Sequence, residues 1–373
     1  MPGVLGGLLV LDFSTLLPGP MATLFLAEAG AEVIKIERPG VGEEMRGYRP
    51  RWGRDSVNFA MLNRGKKSLA VDLKDDEQLT RLLAIIDRAD VLVEQYRPGV
   101  MDRIGLGYET LSQRNPRLVY CSISGYGQWG PKRDQAGHDL NFIGDAGLLS
   151  LSMGSVTSPV VPPALMADIA GGAYPAALNI LLALRERDLT GLGCHLDVAM
   201  AENVFPLLYW ALGNGQATGA WPQPGAELVT GGSPRYRLYP TSDAKFIAAA
   251  PLEQKFWIAF TSAIGLEDRW RDDGIDPEGT IGRVEEIIRA MPAAYWAPIL
   301  SQADCCCTVV KTVEEAVADP HFRARGIFDE QVTNDEGDII SALPIAVSAR
   351  FRTHQGELLS APVLGAENEE LLR

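Results

Sequence analysis

Five short apolar runs, at residues 8–13, 32–37, 68–73, 91–96 and 118–124, alternate with segments whose apolar residues recur at helical spacing. Strands this apolar are buried on both faces, which calls for a mostly parallel sheet with helices on either side. The pattern predicts an α/β fold with a Rossmann-like large domain. Ligands of such sheets bind beyond the carboxyl ends of the strands. The turn after the first run, STLLPGP at residues 14–20, is not GxGxxG, so the nicotinamide-dinucleotide fingerprint is absent from an otherwise Rossmann-like layout. Residues 75–88 and 108–114 read as helices, Pro98 as the first-turn residue of a helix over 97–105, and the segment between the second and third strands as loop.

A chain of 373 residues is long for one core. The Gly- and Pro-rich stretch 213–234 is the best candidate boundary, following a strand at 194–198 and a long helix through Trp210. We expect a large domain of residues 1–205 plus 326–373, a linker at 206–224, and a smaller α+β domain at 225–325. In the smaller domain, 235–239 and 245–250 flank PTSD as a hairpin and 254–300 is helical. The opening residues carry no basic leader and no run of about 18 apolar residues appears, so the expectation is a cytoplasmic protein with no membrane partner. Five cysteines without a CxxC pair read as reduced, mostly buried thiols. The adjacent Cys305, Cys306 and Cys307 diverge if they lie in a strand, so no metal role is expected.

A net charge of −14 argues against a nucleic-acid partner. The basic residues are unevenly spread: 10 of the 34 Lys and Arg fall between Lys35 and Lys74, against five acids. Such a patch suits a small anionic ligand, and a solvated basic loop would have the same composition.

Chemistry concentrates in residues 136–187, where AGHDLNF and PPALMADIAGG place His138 and Asp168 on either side of a Met-, Ser-, Thr- and Pro-containing loop. Asp168 lies near the start of a helix, where unpaired N–H groups favour negative charge and form a ready oxyanion site. A carboxylate at that position is equally suited to cap the helix. Of four histidines, His195 sits in a strand, His354 in a polar segment and His321 at an exposed helix start. No GxSxG elbow or HExxH motif is present. His138 remains as the side chain poised to exchange protons near neutral pH.

LNRGKKSLAVDL, RPGVMDRIGLG, GYGQWGP, AGHDLNF, PPALMADIAGG and SDAKFIAAAPLEQKF together resemble the family III CoA-transferase superfamily (CaiB/BaiF-like). The AGHD form resembles its α-methylacyl-CoA racemase branch. The resemblance implies an isomerase of lipid metabolism that epimerises 2-methylacyl-CoA thioesters by 1,1-proton transfer, His138 working one face and Asp168 the other. It implies that Glu253 orients the histidine, that Asp139 is the neighbouring carboxylate, and that Arg38, Arg64, Lys66, Arg97 and Arg103 cradle the CoA nucleotide. It further implies an interlocked homodimer, with acyl-CoA as substrate and no cofactor beyond the CoA moiety. The alternative within the superfamily is a CoA-transferase in which Asp168 forms an acyl anhydride and then an aspartyl-CoA thioester. A two-base racemase needs Asp168 protonated when His138 is neutral, so its pKa is expected to be raised. Thr230 before the paired glycines, Arg235 in place of a common aromatic residue, and the cysteine triplet depart from the racemase pattern. These departures bear on the acyl group, and Arg235 is a candidate to receive an acyl carboxylate.

Overall fold

The computed structural model describes residues 3–151, 154–155 and 158–372, so part of the loop between His138 and Asp168 lies outside the described residues. The chain forms two compact units. The first takes residues up to 146, 164–207 and 320 onward; the second takes 147–163 and 208–319. Residues 147–163, expected in the large domain, thus cluster with the second unit. The expected linker 206–224 carries a helix, Tyr209–Thr218.

In the first unit six parallel strands run β1 (Leu9–Asp12), β2 (Glu32–Glu37), β3 (Lys67–Ala70), β4 (Val91–Glu94), β5 (Val119–Ser124) and β6 (His195–Ala199). Their spatial order is β3-β2-β1-β4-β5-β6, all in parallel register. This is the doubly wound order, whose direction reverses between β1 and β4 and opens a crevice there. Side chains alternate across the sheet. Leu9, Leu11 and Phe13 face a core shared with Leu82, Ile85, Leu106 and Leu111, whereas the opposite face is covered by α1 (Pro18–Glu28) and the long crossover helix that precedes β6.

The segment read as loop holds more structure than its composition shows. A two-residue-per-strand hairpin, Arg51–Trp52 with Asp55–Ser56, leads into α2 (Val57–Asn63), whose N-cap Ser56 accepts the N–H of Phe59. The helix α3 (Asp76–Ile86) begins at Asp75, whose carboxylate caps two N–H groups. Pro98 precedes its helix: left-handed Gly99 is the N-cap of α4 (Val100–Arg103), which α5 (Tyr108–Arg114) follows. The edge strand β3 is closed by side chains of the C-terminal segment. The Asn368 amide accepts the Ala70 N–H and donates to the Ala70 carbonyl, at 2.8 Å each, and Glu367 accepts the Ser68 N–H at 2.7 Å. An open edge would otherwise template pairing with another chain.

α6 (Asp139–Asp145) leads toward the crossover, which starts as a π-type turn, Ala167–Ala173, and continues as α7 (Tyr174–Thr190). Wide turns of this kind recur at functional sites. Two features sustain it. A Cβ on Gly171 would stand 2.4 Å from the Met200 carbonyl oxygen, so only glycine lets the helix reach the end of β6. The Gly171 carbonyl in turn accepts the Asn203 side-chain amide at 2.9 Å. By length and composition alone the 24-residue helix Ala167–Thr190 could cross a membrane, with half of its most apolar stretch buried here. Its inner face includes Ala173 and Ala177, packed with Met21 and Phe25 of α1. The strand β6 is followed by a 3-10 segment, Glu202–Leu208, in place of the expected continuous helix, because Pro206 lacks the N–H an α-helix would need.

The second unit contains α8 (Tyr209–Thr218) and an antiparallel sheet, β7 (Arg237–Pro240), β8 (Phe246–Ala249) and β9 (Cys307–Val309). Against the sheet lie α9 (Gln254–Ala263), α10 (Pro277–Arg289) and α11 (Ala293–Ala303), around Trp257, Phe260 and Trp296. All five cysteines are free thiols; Cys121 and Cys305 are buried and Cys306 is exposed. Only Cys307 of the triplet is in a strand, and left-handed Cys306 turns the chain before it.

Gly171→Ala should lower the stability of the first unit by about 1–3 kcal/mol, as overpacking against backbone does. The expected readout is an earlier urea transition; an unchanged midpoint would mean that the crossover helix can back away from Met200.

Candidate active site

The switch point is occupied by a cleft of about 460 Å³. Its walls come from the carboxyl ends of four strands: Thr15, Leu16 and Pro18 after β1, Gln95 to Pro98 after β4, Ser124 to Tyr126 after β5, and Met200 after β6. His138 and Asp168, 30 positions apart in sequence, both face into it.

Each is placed by identifiable contacts. Gly125 and Gly137 both lie against the Phe142 ring, where a Cβ would come within 2.3 and 2.6 Å of ring carbons. The loop can therefore fold down onto α6 only with glycine at these points. His138 is the N-cap of α6, and its backbone N–H donates to the Asn141 side chain at 3.0 Å. The next residue, Asp139, is buried, and one carboxylate oxygen accepts the N–H groups of Ala167 at 2.6 Å and Asp168 at 3.0 Å. One side chain thus ties the start of the Asp168 helix to the start of the His138 helix. Asp139 thus caps and positions the turn that carries Asp168, which corrects one expectation: the two N–H groups it occupies are not free to serve as an oxyanion site.

Burial pushes the Asp168 carboxyl up to about 6; the Asp139 charge adds to the shift and His138 opposes it. The helix N-terminus would lower this pKa, so desolvation and the neighbouring carboxylate outweigh the dipole. The raised value expected from the chemistry is present, caused by burial within the protein together with the Asp139 charge.

Leu16, another wall residue, sits in the left-handed region at φ 62°, a conformation costly for a side chain with a Cβ. A buried charge network beneath the loop holds it. The Lys35 ammonium donates to the Ser14 carbonyl at 2.8 Å and pairs with Glu43. Asp12 accepts from the N–H of Ser14 at 3.0 Å and from Lys66 at 3.0 Å. Although burial works against ionisation, Lys35 and Lys66 hold Asp12 well below the usual carboxylate range.

That network corrects the nucleotide cradle drawn from the sequence. Lys66 is buried and spends its donors on Asp12, the Pro20 carbonyl, Thr23 and Asn63. Arg64 is buried against Glu28 and the Met61 and Leu343 carbonyls. Lys66 has no donor left to offer a ligand, and the Arg64 guanidinium is held in the interior by its pair with Glu28. Arg46, in the same basic segment, is likewise closed in by Glu37 and Asp55. Arg38, Arg97 and Arg103 are exposed, and Arg97 lines the cleft. The structure adds Arg133, which also lines the cleft and was not singled out in the sequence; its signal was a basic pair in the glycine-rich loop just before AGHD.

Glu253 and Arg235 belong to the second unit. Glu253 is the exposed N-cap of α9. Arg235 makes a bidentate pair with Asp273 at 2.9 and 2.6 Å, donates to Gln254 and the Leu252 carbonyl, and lies 5.1 Å over the Trp257 ring. It is committed within its own unit, which removes it as a receptor for an acyl carboxylate.

The family model for CoA-transferase family III matches residues 5–368. The chain belongs to that family. It is 36% identical to the α-methylacyl-CoA racemase of Mus musculus over 362 residues, covering 95% of this chain and 91% of the relative. It is 31% identical to the acetyl-CoA:oxalate CoA-transferase of Acetobacter aceti over 363 residues, covering 95% and 91%. Among solved structures it is similar to a CaiB/BaiF family protein from Brucella suis, with TM-score 0.83, 25% identity and coverage of 99% and 98%. It is also similar to a hypothetical protein from Mycobacterium tuberculosis, with TM-score 0.83, 27% identity and coverage of 99% of each chain. The mixed α/β fold with a parallel central sheet is thus the fold of the family, whose named members include both racemases and CoA-transferases.

A carboxyl whose folded pKa is raised contributes stability at low pH that is lost as pH rises through the folded value. From about 3.8 to about 6 the shift is on the order of 2–3 kcal/mol. Asp168→Asn should therefore be more stable than the natural chain at pH 7, by about 2 kcal/mol allowing for partial exposure, and close to equal at pH 4. Denaturant titrations at the two pH values check this; a variant less stable at pH 7 would contradict the assigned burial cost.

Proposed function

We propose that this protein is an α-methylacyl-CoA racemase that epimerises 2-methylacyl-CoA thioesters by 1,1-proton transfer through an enolate. The reading rests above all on one observation: an imidazole and a carboxyl group from separate segments face the same cleft, with the carboxyl near 6. A carboxyl that close to neutrality can hold a proton or accept one, as a partner to an imidazole must.

In one direction neutral His138 takes the α-proton while protonated Asp168 delivers one to the other face; the reverse uses the complementary protonation. One proton is shared by the pair throughout, so the reaction needs no external acid or base. A thioester α-proton is less acidic than imidazolium by about 10 pKa units, or about 14 kcal/mol. His138 cannot bridge that gap unaided, and fixed donors must stabilise the enolate oxygen; removing one typically costs about 3 kcal/mol. Arg97, exposed on the cleft wall, supplies positive charge for an anionic CoA moiety.

The resemblance to CoA-transferases carries a second reading, in which Asp168 attacks the thioester carbonyl and His138 only positions substrate. Incubation of a (2R)-2-methylacyl-CoA in deuterated water, with no acceptor acid, separates the two. The racemase reading expects α-deuterium incorporation with epimerisation by NMR, the epimerisation itself slowed about 10²–10⁴-fold in His138→Ala and in Asp168→Ala. No exchange, with CoA transfer appearing once a carboxylic acid is added and CoA trapped on Asp168 by mass spectrometry, would replace it with the transferase reading.

A further inference from the structure

Beneath the turn 95–98 that walls the cleft lies a second, much smaller cavity of about 30 Å³. Arg97 lines both cavities. The small one also holds Glu94, Ser122, Tyr108, Gln128 and His195, groups for which proton transfer at His138 and Asp168 has no use.

They form a hydrogen-bonded chain. Glu94, at the buried end of β4, accepts the Tyr96 N–H at 2.8 Å, which pins the turn that carries Arg97. Glu94 is also hydrogen-bonded to Ser122 on β5, and the Ser122 hydroxyl lies 2.9 Å from His195 Nε2 on β6. The His195 ring stacks on Tyr108 at 5.1 Å and is partly open to water.

The chain has two self-consistent proton arrangements. With Glu94 neutral, its O–H donates to Ser122 and the serine O–H donates to an unprotonated Nε2. With Glu94 ionised, Nε2–H donates to Ser122 and the serine donates to the carboxylate. Passing between them moves the Glu94 proton to Ser122 and the serine proton to Nε2, while the ring's Nδ1 proton leaves to water. One proton is lost in all. Burial lifts the Glu94 carboxyl to about 7; the nearby Asp102 and Asp197 lift it further, and the Ser122 and Tyr96 bonds oppose them. The charged and titratable groups around Glu94 are Tyr96 and Arg97 on the turn, Asp102 on α4, Tyr108 on α5, Tyr120 and Cys121 on β5, and Asp197 with His195 on β6.

We propose that Glu94 is a protonation-controlled positioning residue for Arg97. Neutral Glu94 leaves the guanidinium free to meet a phosphate-bearing ligand in the large cleft; ionised Glu94 draws it toward the small cavity. Among the described residues Arg97 has no ion pair, and it shares the small cavity with the carboxyl groups of Glu94 and Asp102. Affinity for an anionic ligand then falls as pH rises through neutrality. The inference rests on the acyl-CoA reading, since it takes the ligand's phosphates to lie on the Arg97 side.

The test is isothermal titration of the full chain with dephospho-CoA between pH 6 and 8. Its diphosphate keeps a fixed charge over that range. The natural protein should bind about tenfold more weakly at pH 8, the loss of one charge-assisted contact. Glu94→Gln should lack that tenfold loss and keep only the pH dependence it shares with the natural protein. Asp168 also titrates facing the cleft and is unchanged in this variant, so the difference between the two curves isolates Glu94. Ser122→Ala, which removes a donor to the ionised carboxylate, should move the midpoint upward. A folded Glu94→Gln with the natural pH profile, or an unmoved midpoint in Ser122→Ala, overturns the proposal while binding itself still supports the acyl-CoA reading. No binding of dephospho-CoA at any pH overturns both.

Discussion

One buried carboxylate holds the candidate site together. Asp139 accepts the first N–H groups of the Asp168 helix while its own residue opens the His138 helix, so the two reactive side chains share one anchor. Capping would ordinarily be worth about 1 kcal/mol. Here the same charge also raises the Asp168 pKa, so the group that sets geometry contributes to the chemistry. Position and protonation are coupled through a single side chain.

The sheet provides the setting. Reversal of strand order between β1 and β4 leaves their carboxyl ends without a covering crossover, and every wall of the cleft except the His138 loop and the Asp168 turn comes from the ends of β1, β4, β5 and β6. Keeping that rim open requires strain at Leu16, and the buried lysines Lys35 and Lys66 fix the loop from beneath. The basic segment thus divides its labour. Some of its cations stabilise the scaffold, and the exposed ones remain available for a ligand.

The sheet was legible in the sequence because fully buried strands must be continuously apolar, and β2 and α5 fall at the ends read for them. His138 and Asp168 were legible from their motifs. The fate of the basic residues was not, because it depends on partners far along the chain: Glu28 lies 36 positions from Arg64, and Asp12 lies 54 from Lys66. A charge count cannot distinguish a buried pair from a ligand site. The hairpin and α2 hidden in that segment were missed for the same reason, since charged residues masked the apolar pattern of Phe59 and Leu62. Arg235 reads as a receptor for an acyl carboxylate until Asp273, 38 positions away, is seen to hold it. The wide turn at Gly171 depends on Met200 and Asn203, contacts that no local periodicity encodes.

The central claim is that His138 and Asp168 work on opposite faces of one α-carbon. Its most direct test is solvent-deuterium exchange on each epimer separately with each single variant. Two bases predict complementary behaviour: His138→Ala still exchanges the α-proton of one epimer without inverting it, and Asp168→Ala does so for the other. Equal loss of exchange on both epimers in both variants would contradict the two-base arrangement and leave the cleft without the division of roles assigned to it.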